Sequence, residues 1–267
     1  MNKVVFITGA SSGIGKTIGE YLIEKGFKVF GTSRNPEKYP NSKIKLLALD
    51  VRNSNSIKSA IEQMIAMEGK IDILINNAGV GITGPLEEIP MTEIKNNFEV
   101  NLFGPIEMMQ NVLPFMRTQN SGLIINITSI AGYMGLPFRS VYSASKGALE
   151  LITEGIRMEV KPFNIQIVNV APGDFATNIA FGRFHAPLLA HSAYKKTYGE
   201  TLETMNQHVD SGNNPIEMAQ AIERIINTKN PKIHYKIGAF LQKFSIVLKR
   251  VLSDKQYERM LMKHYKL

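Results

Sequence analysis

Cysteine is absent from the whole 267-residue chain, which excludes disulfides and thiolate metal sites and suits a reducing compartment. No apolar run approaches the roughly 18 residues needed to span a bilayer, and the short apolar stretch after Met1-Asn2-Lys3 meets Gly9 too soon for a secretory core segment. A soluble, cytoplasmic protein is therefore expected. His185, His191, His208, His234 and His264 have no metal-ligand spacing, so surface or packing roles are expected of them and no metal is. Internal repeats and low-complexity tracts are also missing. The lysines lack interleaved aromatic stacking pairs and any reader motif, which argues against a nucleic-acid partner.

What is present is an apolar fraction of 44%, enough for the core of one α/β domain covering residues 1–267. The net charge of +8 is unevenly placed. Of 31 basic and 23 acidic residues, ten and two lie in 229–267, leaving 21 of each sign before that tail.

Short, β-branched, mostly apolar runs at 3–8, 28–33, 44–49, 71–75, 122–127 and 164–170 suit strands covered on both faces. Between them lie helical patterns from Ile14 to Lys25, Ser56 to Glu68, Thr92 to Arg117 and Ser143 to Lys161, the first two closed by Gly26 and Gly69 and the last stopped by Pro162. This alternation predicts a parallel, doubly wound (Rossmann) sheet with helices on both faces. Pro36 and Pro40 make the crossover from Arg34 to Lys43 irregular. The segment 178–214 lacks clean periodicity and is expected to be a lid over a substrate. Asn214-Pro215 then marks a helix start.

Directly after the first strand comes Thr8-Gly9-Ala10-Ser11-Ser12-Gly13-Ile14-Gly15. Glycines there let backbone approach a pyrophosphate, and the free N–H groups and dipole of the following helix favour its charge. Asp50, with Val51 beside it, ends the third strand and can accept a hydrogen bond from an adenine; a turn or capping role is the alternative. The second strand ends Gly31-Thr32-Ser33-Arg34 without the acid that a free ribose 2′-hydroxyl would prefer. Arg34 offers donors to a 2′-phosphate instead, so NADPH is expected over NADH, a solvated surface arginine being the other reading.

Tyr142 and Lys146 share one face of a helix that begins shortly after Ser129. Two other Tyr-x-x-x-Lys matches, Tyr21 to Lys25 and Tyr39 to Lys43, have no serine-bearing strand before them, so context alone sets the third apart. Reduction of a carbonyl leaves an alkoxide-like oxygen that needs a proton and hydrogen bonds where water is excluded. Tyr142 is the candidate acid, Lys146 the cation that lets a phenol ionise, and Ser129 the group that orients the substrate oxygen.

The motifs from Lys3 to about Thr177 resemble, in order and spacing, the short-chain dehydrogenases/reductases: Thr8 to Gly15, Asp50, Asn76-Asn77-Ala78-Gly79, Asn101, Ser129, Tyr142 to Lys146, and Pro172-Gly173-Asp174-Phe175-Ala176-Thr177. The resemblance implies that Asn77, Ala78 and Gly79 support the adenine side of the cofactor, and that Pro172, Gly173 and Thr177 embrace the nicotinamide carboxamide. It implies that Lys146 also grips the ribose and that Asn101 holds a water linking Lys146 to solvent; hydrogen bonding to helix backbone is an equal alternative for Asn101. It further implies a homodimer or homotetramer through the helices beginning near Thr92 and Ser143. Asp174 reads as a turn-former.

Within the family, Gly132 to Phe138, Val141, Glu150 and Pro162-Phe163 are similar to the branch of estrogenic 17-beta-hydroxysteroid and retinol dehydrogenases. A bulky lipophilic ketone, aldehyde or alcohol, steroid- or retinoid-like, is the expected substrate, with a 3-oxoacyl thioester as alternative. Met134, Leu136 and Phe138 otherwise serve only to pack the lid. A non-catalytic dinucleotide sensor would need no proton donor, so the Ser129, Tyr142, Lys146 and Asn101 set favours an enzyme. Residues 237–252 read as a basic amphipathic helix in a C-terminal extension of 229–267. That helix either packs on the domain with its charges solvated or meets an anionic membrane or an acidic carrier.

Overall fold

In the computed structural model, which describes residues 3–175, 182–210 and 212–267, the strands are β1 (Val4–Ile7), β2 (Lys28–Ser33), β3 (Lys45–Ala48), β4 (Ile73–Asn76), β5 (Ile82–Thr83), β6 (Gly122–Ile127), β7 (Ile165–Pro172), β8 (Phe184–His185) and β9 (His234–Ile237). The helices are α1 (Gly13–Glu24), α2 (Ser54–Glu68), α3 (Met91–Phe98), α4 (Gly104–Gln119), α5 (Ser140–Glu159), α6 (Lys195–Asp210), α7 (Ile216–Ile226), α8 (Phe240–Val251) and α9 (Asp254–Tyr265). Seven strands form a wholly parallel sheet in the order β3-β2-β1-β4-β6-β7-β9. Strands at its centre are buried on both faces, as their unbroken apolar runs predict. One face packs Leu74, Ile124 and Ile167 against α2, α4 and α5 residues such as Met64, Met109 and Leu149; the other packs Ile7, Ile75 and Ile125 against Ile18, Leu22 and Ile222 of α1 and α7.

The chain leaves β1 towards β3 and returns to β4 on the other side of β1, so a crevice opens at the carboxyl ends of these two strands. The six predicted strands and the irregular 34–43 crossover are all present, the latter with only one helical turn at Pro36–Lys38. At the start of α7, Asn214 Oδ1 accepts from Ile216 N–H and Pro215 already has helical dihedrals.

Three elements differ from expectation. The single helix predicted from Thr92 to Arg117 is divided into α3 and α4 by a π-helical turn over Glu99–Phe103, and Asn101 lies in that turn, fully buried. The expected lid of 178–214 contains β8, paired with β5, and the four-turn helix α6. Its buried positions Tyr198, Thr201 and Met205 have helical spacing, but a threonine and a tyrosine supply most of that face and a glycine interrupts it, which hides the period from an apolar pattern. β9 was not anticipated, because His234-Tyr235-Lys236-Ile237 is too polar to read as a sheet strand.

A row of buried asparagines ties α5 to the sheet. Asn76 and Asn126 face each other in register, and Asn126 pairs in turn with Asn169. Asn76 Nδ2 donates to Asn126 Oδ1 at 2.9 Å, Asn126 Nδ2 to Thr153 Oγ1 at 2.8 Å, and Asn169 Nδ2 to the Glu150 carbonyl at 3.1 Å. Because Thr153 and Glu150 belong to α5, these bonds fix the height and rotation of the helix that carries Tyr142 and Lys146.

The tail behaves in two ways. Ile246 of α8 and Tyr257 of α9 pack with Ile130, Met134 and Ala171, covering the turn after Ser129. Gln242 clips α8 to the end of β7: its Oε1 accepts from Asp174 N–H at 3.1 Å and its Nε2 donates to Asp174 Oδ2 at 2.6 Å. The remaining apolar side of α8 is turned outward, with Phe240, Leu241 and Val251 71%, 76% and 75% exposed.

Candidate active site

A cleft of about 520 Å³ lies over the carboxyl ends of β1, β2 and β4. Its first wall is the β1–α1 turn. Gly9 and Gly13 have positive φ of 67° and 55°, and a Cβ on Gly9 would stand 3.0 Å from Ala78 Cα, so only glycine meets both demands at Gly9. A Cβ on Gly15 would collide with Asn77 Nδ2 and the Gly9 carbonyl, which explains why Gly15 is needed although it does not line the cleft. Ser12 occupies the N-cap of α1 without a side-chain cap, and no acid sits in the first turn, so the helix's leading N–H groups keep their capacity for an anion.

Asn77 and Thr8 brace this turn. Thr8 Oγ1 accepts from the N–H groups of Asn77 and Ala78 at 3.0 Å each, while Asn77 Nδ2 donates to the carbonyls of Thr8 and Gly9 at 2.9 and 3.0 Å. The far wall is basic. Arg34, Lys38 and Arg52 all line the cleft, with Asp50 and Val51 between them. Arg52 holds the Asp50 carboxylate through Nη2 at 2.6 Å and Nε at 3.0 Å, and this pairing lowers the Asp50 pKa. Asp50 also caps its own turn by accepting from Arg52 N–H, so the alternative turn role is present alongside its place on the wall. With the one acid paired, Arg34 and Lys38 leave a positive field at the end of β2, which fits a 2′-phosphate and disfavours a bare diol.

Tyr142 and Lys146 project from α5 into the same cleft. Lys146 Nζ donates to the Ile127 carbonyl at 2.9 Å; burial pushes its pKa down to about 8, against the opposing pull of Glu150. It therefore still carries its proton near neutrality. A Cβ on Gly79 would lie 3.2 Å from Asn101 Oδ1 and 3.3 Å from Lys146 Nζ, so Gly79 keeps these two groups together. Asn101 bonds both ways to Val80, accepting from its N–H and donating to its carbonyl at 2.9 Å each, and also donates to Ser145 Oγ at 3.3 Å. Its backbone partner is thus the loop after Gly79 and not its own helix; the extra residue of the π turn swings it inward.

Ser129 lies behind this wall, 8% exposed, and does not line the cleft. Its Oγ accepts from Ala131 N–H at 3.2 Å, which leaves its own proton to donate. The turn it starts is pressed against α5, where a Cβ on Gly132 would stand 3.0 Å from Gly147 N. Pro172 lines the cleft but Gly173 is turned away, packed against Gln242 of α8. Thr177 lies outside the described residues.

Sequence reasoning missed Lys38 and Arg52, each a common surface residue type until β2 and β3 bring them beside Arg34. It also missed a buried network behind Lys146: Glu150 accepts from Thr128 Oγ1 and from Tyr133 Oη at 2.8 Å, and His234 Nδ1 and Nε2 meet Glu150 and Glu154 at 2.8 and 3.0 Å. Burial, then Glu150, pushes the Tyr133 hydroxyl well above its ordinary pKa, so this phenol stays neutral. No local signal could link His234 to a helix 80 residues earlier.

The family model described as short chain dehydrogenase matches residues 3–186. A 3-ketodihydrosphingosine reductase of Bacteroides thetaiotaomicron is 40% identical over 241 residues, covering 90% of this chain and 89% of the relative. Human 17-beta-hydroxysteroid dehydrogenase type 1 is 31% identical over 255 residues, covering 87% and 76%. Among solved structures, a short chain dehydrogenase of Burkholderia cenocepacia in complex with NADP superposes with a TM-score of 0.73 at 26% identity, over 96% of this chain and 94% of that one.

Proposed function

The chain belongs to the short-chain dehydrogenases, and from that premise we propose that it is a reductase of lipophilic ketones in which Tyr142 is the acid. It is an oxidoreductase of the family that interconverts alcohols and carbonyls, and its cofactor is NADP(H). The basic wall of Arg34, Lys38 and Arg52 supports the same choice of cofactor. Gly9, Ser11, Ser12, Gly13 and Ile14 would hold the pyrophosphate, Arg34 the 2′-phosphate, Asp50, Val51, Asn77, Ala78 and Gly79 the adenine side, and Pro172 and Thr177 the carboxamide, Gly173 being engaged instead with Gln242 and the Ile237 carbonyl. Bound NADPH supplies the hydride.

Tyr142 gives its phenolic proton to the oxygen of the reduced carbonyl, and Ser129 donates a hydrogen bond to that oxygen. Lys146, still an ammonium at neutral pH, stabilises the phenolate left behind and grips the ribose. Asn101, beside Lys146 across Gly79, holds the water through which the proton is replaced. The observation that carries this reading is the convergence of Tyr142 and Lys146 with the glycine turn and the basic wall in one cleft.

Long-chain ketones such as 3-ketodihydrosphingosine are the first candidates, because the relative acting on that compound is 40% identical over nearly the whole chain. A steroid- or retinoid-like substrate is the second reading, favoured by the 31% identity to the steroid dehydrogenase. Apolar and aromatic groups around Tyr142, namely Leu136, Val141, Phe138, Phe184 and Tyr198, suit either. The outward face of α8, with Lys243, Lys249 and Arg250 beside it, is proposed to rest on an anionic membrane surface from which such a substrate is drawn. Exposed Leu151 and Met158 on α5 support assembly into a homodimer or homotetramer through that helix. The test is NADPH consumption with a panel of long-chain 3-ketones, steroids, retinoids, 3-oxoacyl thioesters and small sugars. Turnover highest with a long-chain ketone is the expected result, and a preference for small polar carbonyls would overturn the substrate reading.

A further inference from the structure

Arg183 is an unusual residue to bury. Pairing of β8 with β5, together with the bond from Phe184 N–H to the Gly81 carbonyl at 3.0 Å, fixes the backbone on which it stands. Its side chain crosses Gly81 so closely that a Cβ there would lie 2.8 Å from Arg183 Cγ. The glycine makes room for the arginine. Arg183 is 9% exposed, its Nη1 has no hydrogen-bond partner, and it belongs to none of the ion pairs among the described residues. Both its burial and the neighbouring Arg139 guanidinium oppose its charge. Tyr142, Asp174 and Tyr198 favour the charge, but none of them forms an ion pair with it among the described residues, so a buried cation here still gains from an anionic ligand.

The cavity it faces, about 230 Å³, is walled by Val80, Gly81, Asn97, Gly182 and Phe184, with Glu93 also on its wall but not paired with Arg183. Val80 and Gly182 line the main cleft as well, so the two spaces adjoin. Arg183 itself is not on the wall of the main cleft, which separates it from the residues assigned to the cofactor's phosphates. Asn97 on its wall is anchored by its Nδ2, which donates to the Val80 carbonyl at 3.0 Å. The other nearby acid, Asp174, is held by Gln242. The cavity thus carries on its wall one cationic side chain that no ion pair among the described residues engages.

We propose that this cavity is a head-group subsite, in which Arg183 binds a phosphate, sulfonate or carboxylate carried by the substrate near its ketone. The proposal rests on the lipophilic-ketone reading and narrows it to an acidic-headed long-chain ketone. A matched pair tests it: 3-ketodihydrosphingosine and the same ketone phosphorylated on its terminal hydroxyl, with wild type, Arg183→Gln and Arg183→Lys. Wild type is expected to favour the phosphorylated ketone at least tenfold in kcat/KM, mainly through KM, with the preference gone in Arg183→Gln and partly kept in Arg183→Lys. A wild-type preference for the parent ketone, or a preference that survives Arg183→Gln, would overturn it. Should neither ketone be reduced, the lipophilic reading fails, and calorimetric titration of the NADPH-loaded protein with hexylphosphonate still decides the subsite. Binding weakened at least tenfold by Arg183→Gln supports it; absent or unchanged binding overturns it. Inorganic phosphate bound as tightly as hexylphosphonate would mark a site for the free ion and overturn the head-group assignment.

Discussion

Lys146 illustrates how, in the proposed mechanism, one residue trades stability for chemistry. Its folded pKa of about 8 lies below the ordinary 10.5, so between those values the unfolded chain holds more protons and stability rises with pH; below about pH 8 the full cost of the buried charge is present. Lys146→Met is therefore expected to abolish turnover yet leave the cofactor-free protein about 1–3 kcal/mol more stable at pH 7, the lost bond to the Ile127 carbonyl offsetting part of the gain. Urea unfolding at pH 7 and pH 10 checks it: a variant less stable than wild type at pH 7 would contradict the buried ammonium. At the other end of the cleft, Arg34→Glu should reverse the preference from NADPH to NADH, lowering kcat/KM for NADPH by about 2 kcal/mol or more through repulsion of the 2′-phosphate. An unchanged cofactor ratio would remove Arg34 from that role. Residues of this kind were legible because their chemistry is local: glycines after a strand, a tyrosine and lysine one turn apart. Lys38, Arg52 and Arg183 were not, since each acquires meaning only from a neighbour that another segment supplies.

Secondary elements hold these residues at the right height, and the asparagine row across β4, β6 and β7 does most for α5. Asn126→Ala would leave Asn76 Nδ2 with only its 3.4 Å bond to the Pro105 carbonyl and remove the donor to Thr153, both buried. A loss of about 2–4 kcal/mol is expected, with KM for the carbonyl rising as α5 loosens. Denaturant midpoints measure the first and steady-state kinetics the second; a loss below about 1 kcal/mol would show that the row is replaceable. The strands themselves were readable from unbroken apolar runs, because both faces of a parallel sheet are covered. The π turn at Glu99–Phe103 was not, since one inserted residue leaves the helical period nearly intact on either side. α6 escaped because hydroxyl and phenol groups build its buried face, and β9 because an edge strand needs so little apolar surface.

At the scale of the whole molecule, charge and shape coincide. The tail that carries the net charge of +8 also presents Phe240, Leu241 and Val251 to solvent, while its inner side seals the turn after Ser129. Flotation with anionic vesicles is expected to carry the protein at low salt and to release most of it at high salt, since polybasic attraction contributes on the order of 1 kcal/mol per Lys or Arg and is screened. Failure to float under either condition would retire the membrane contact. The sequence located the basic amphipathic helix, but which side faces outward depends on Gln242 and Ile246 meeting β7 and the Ser129 turn.

The decisive measurement concerns a single oxygen atom. Tyr142→Phe keeps the ring and its packing but removes the acid, so the variant is expected to bind NADPH within about twofold of wild type while reducing the best ketone at least about a hundredfold more slowly. Equal turnover by the two proteins would contradict proton donation from Tyr142 and, with it, the reductase mechanism.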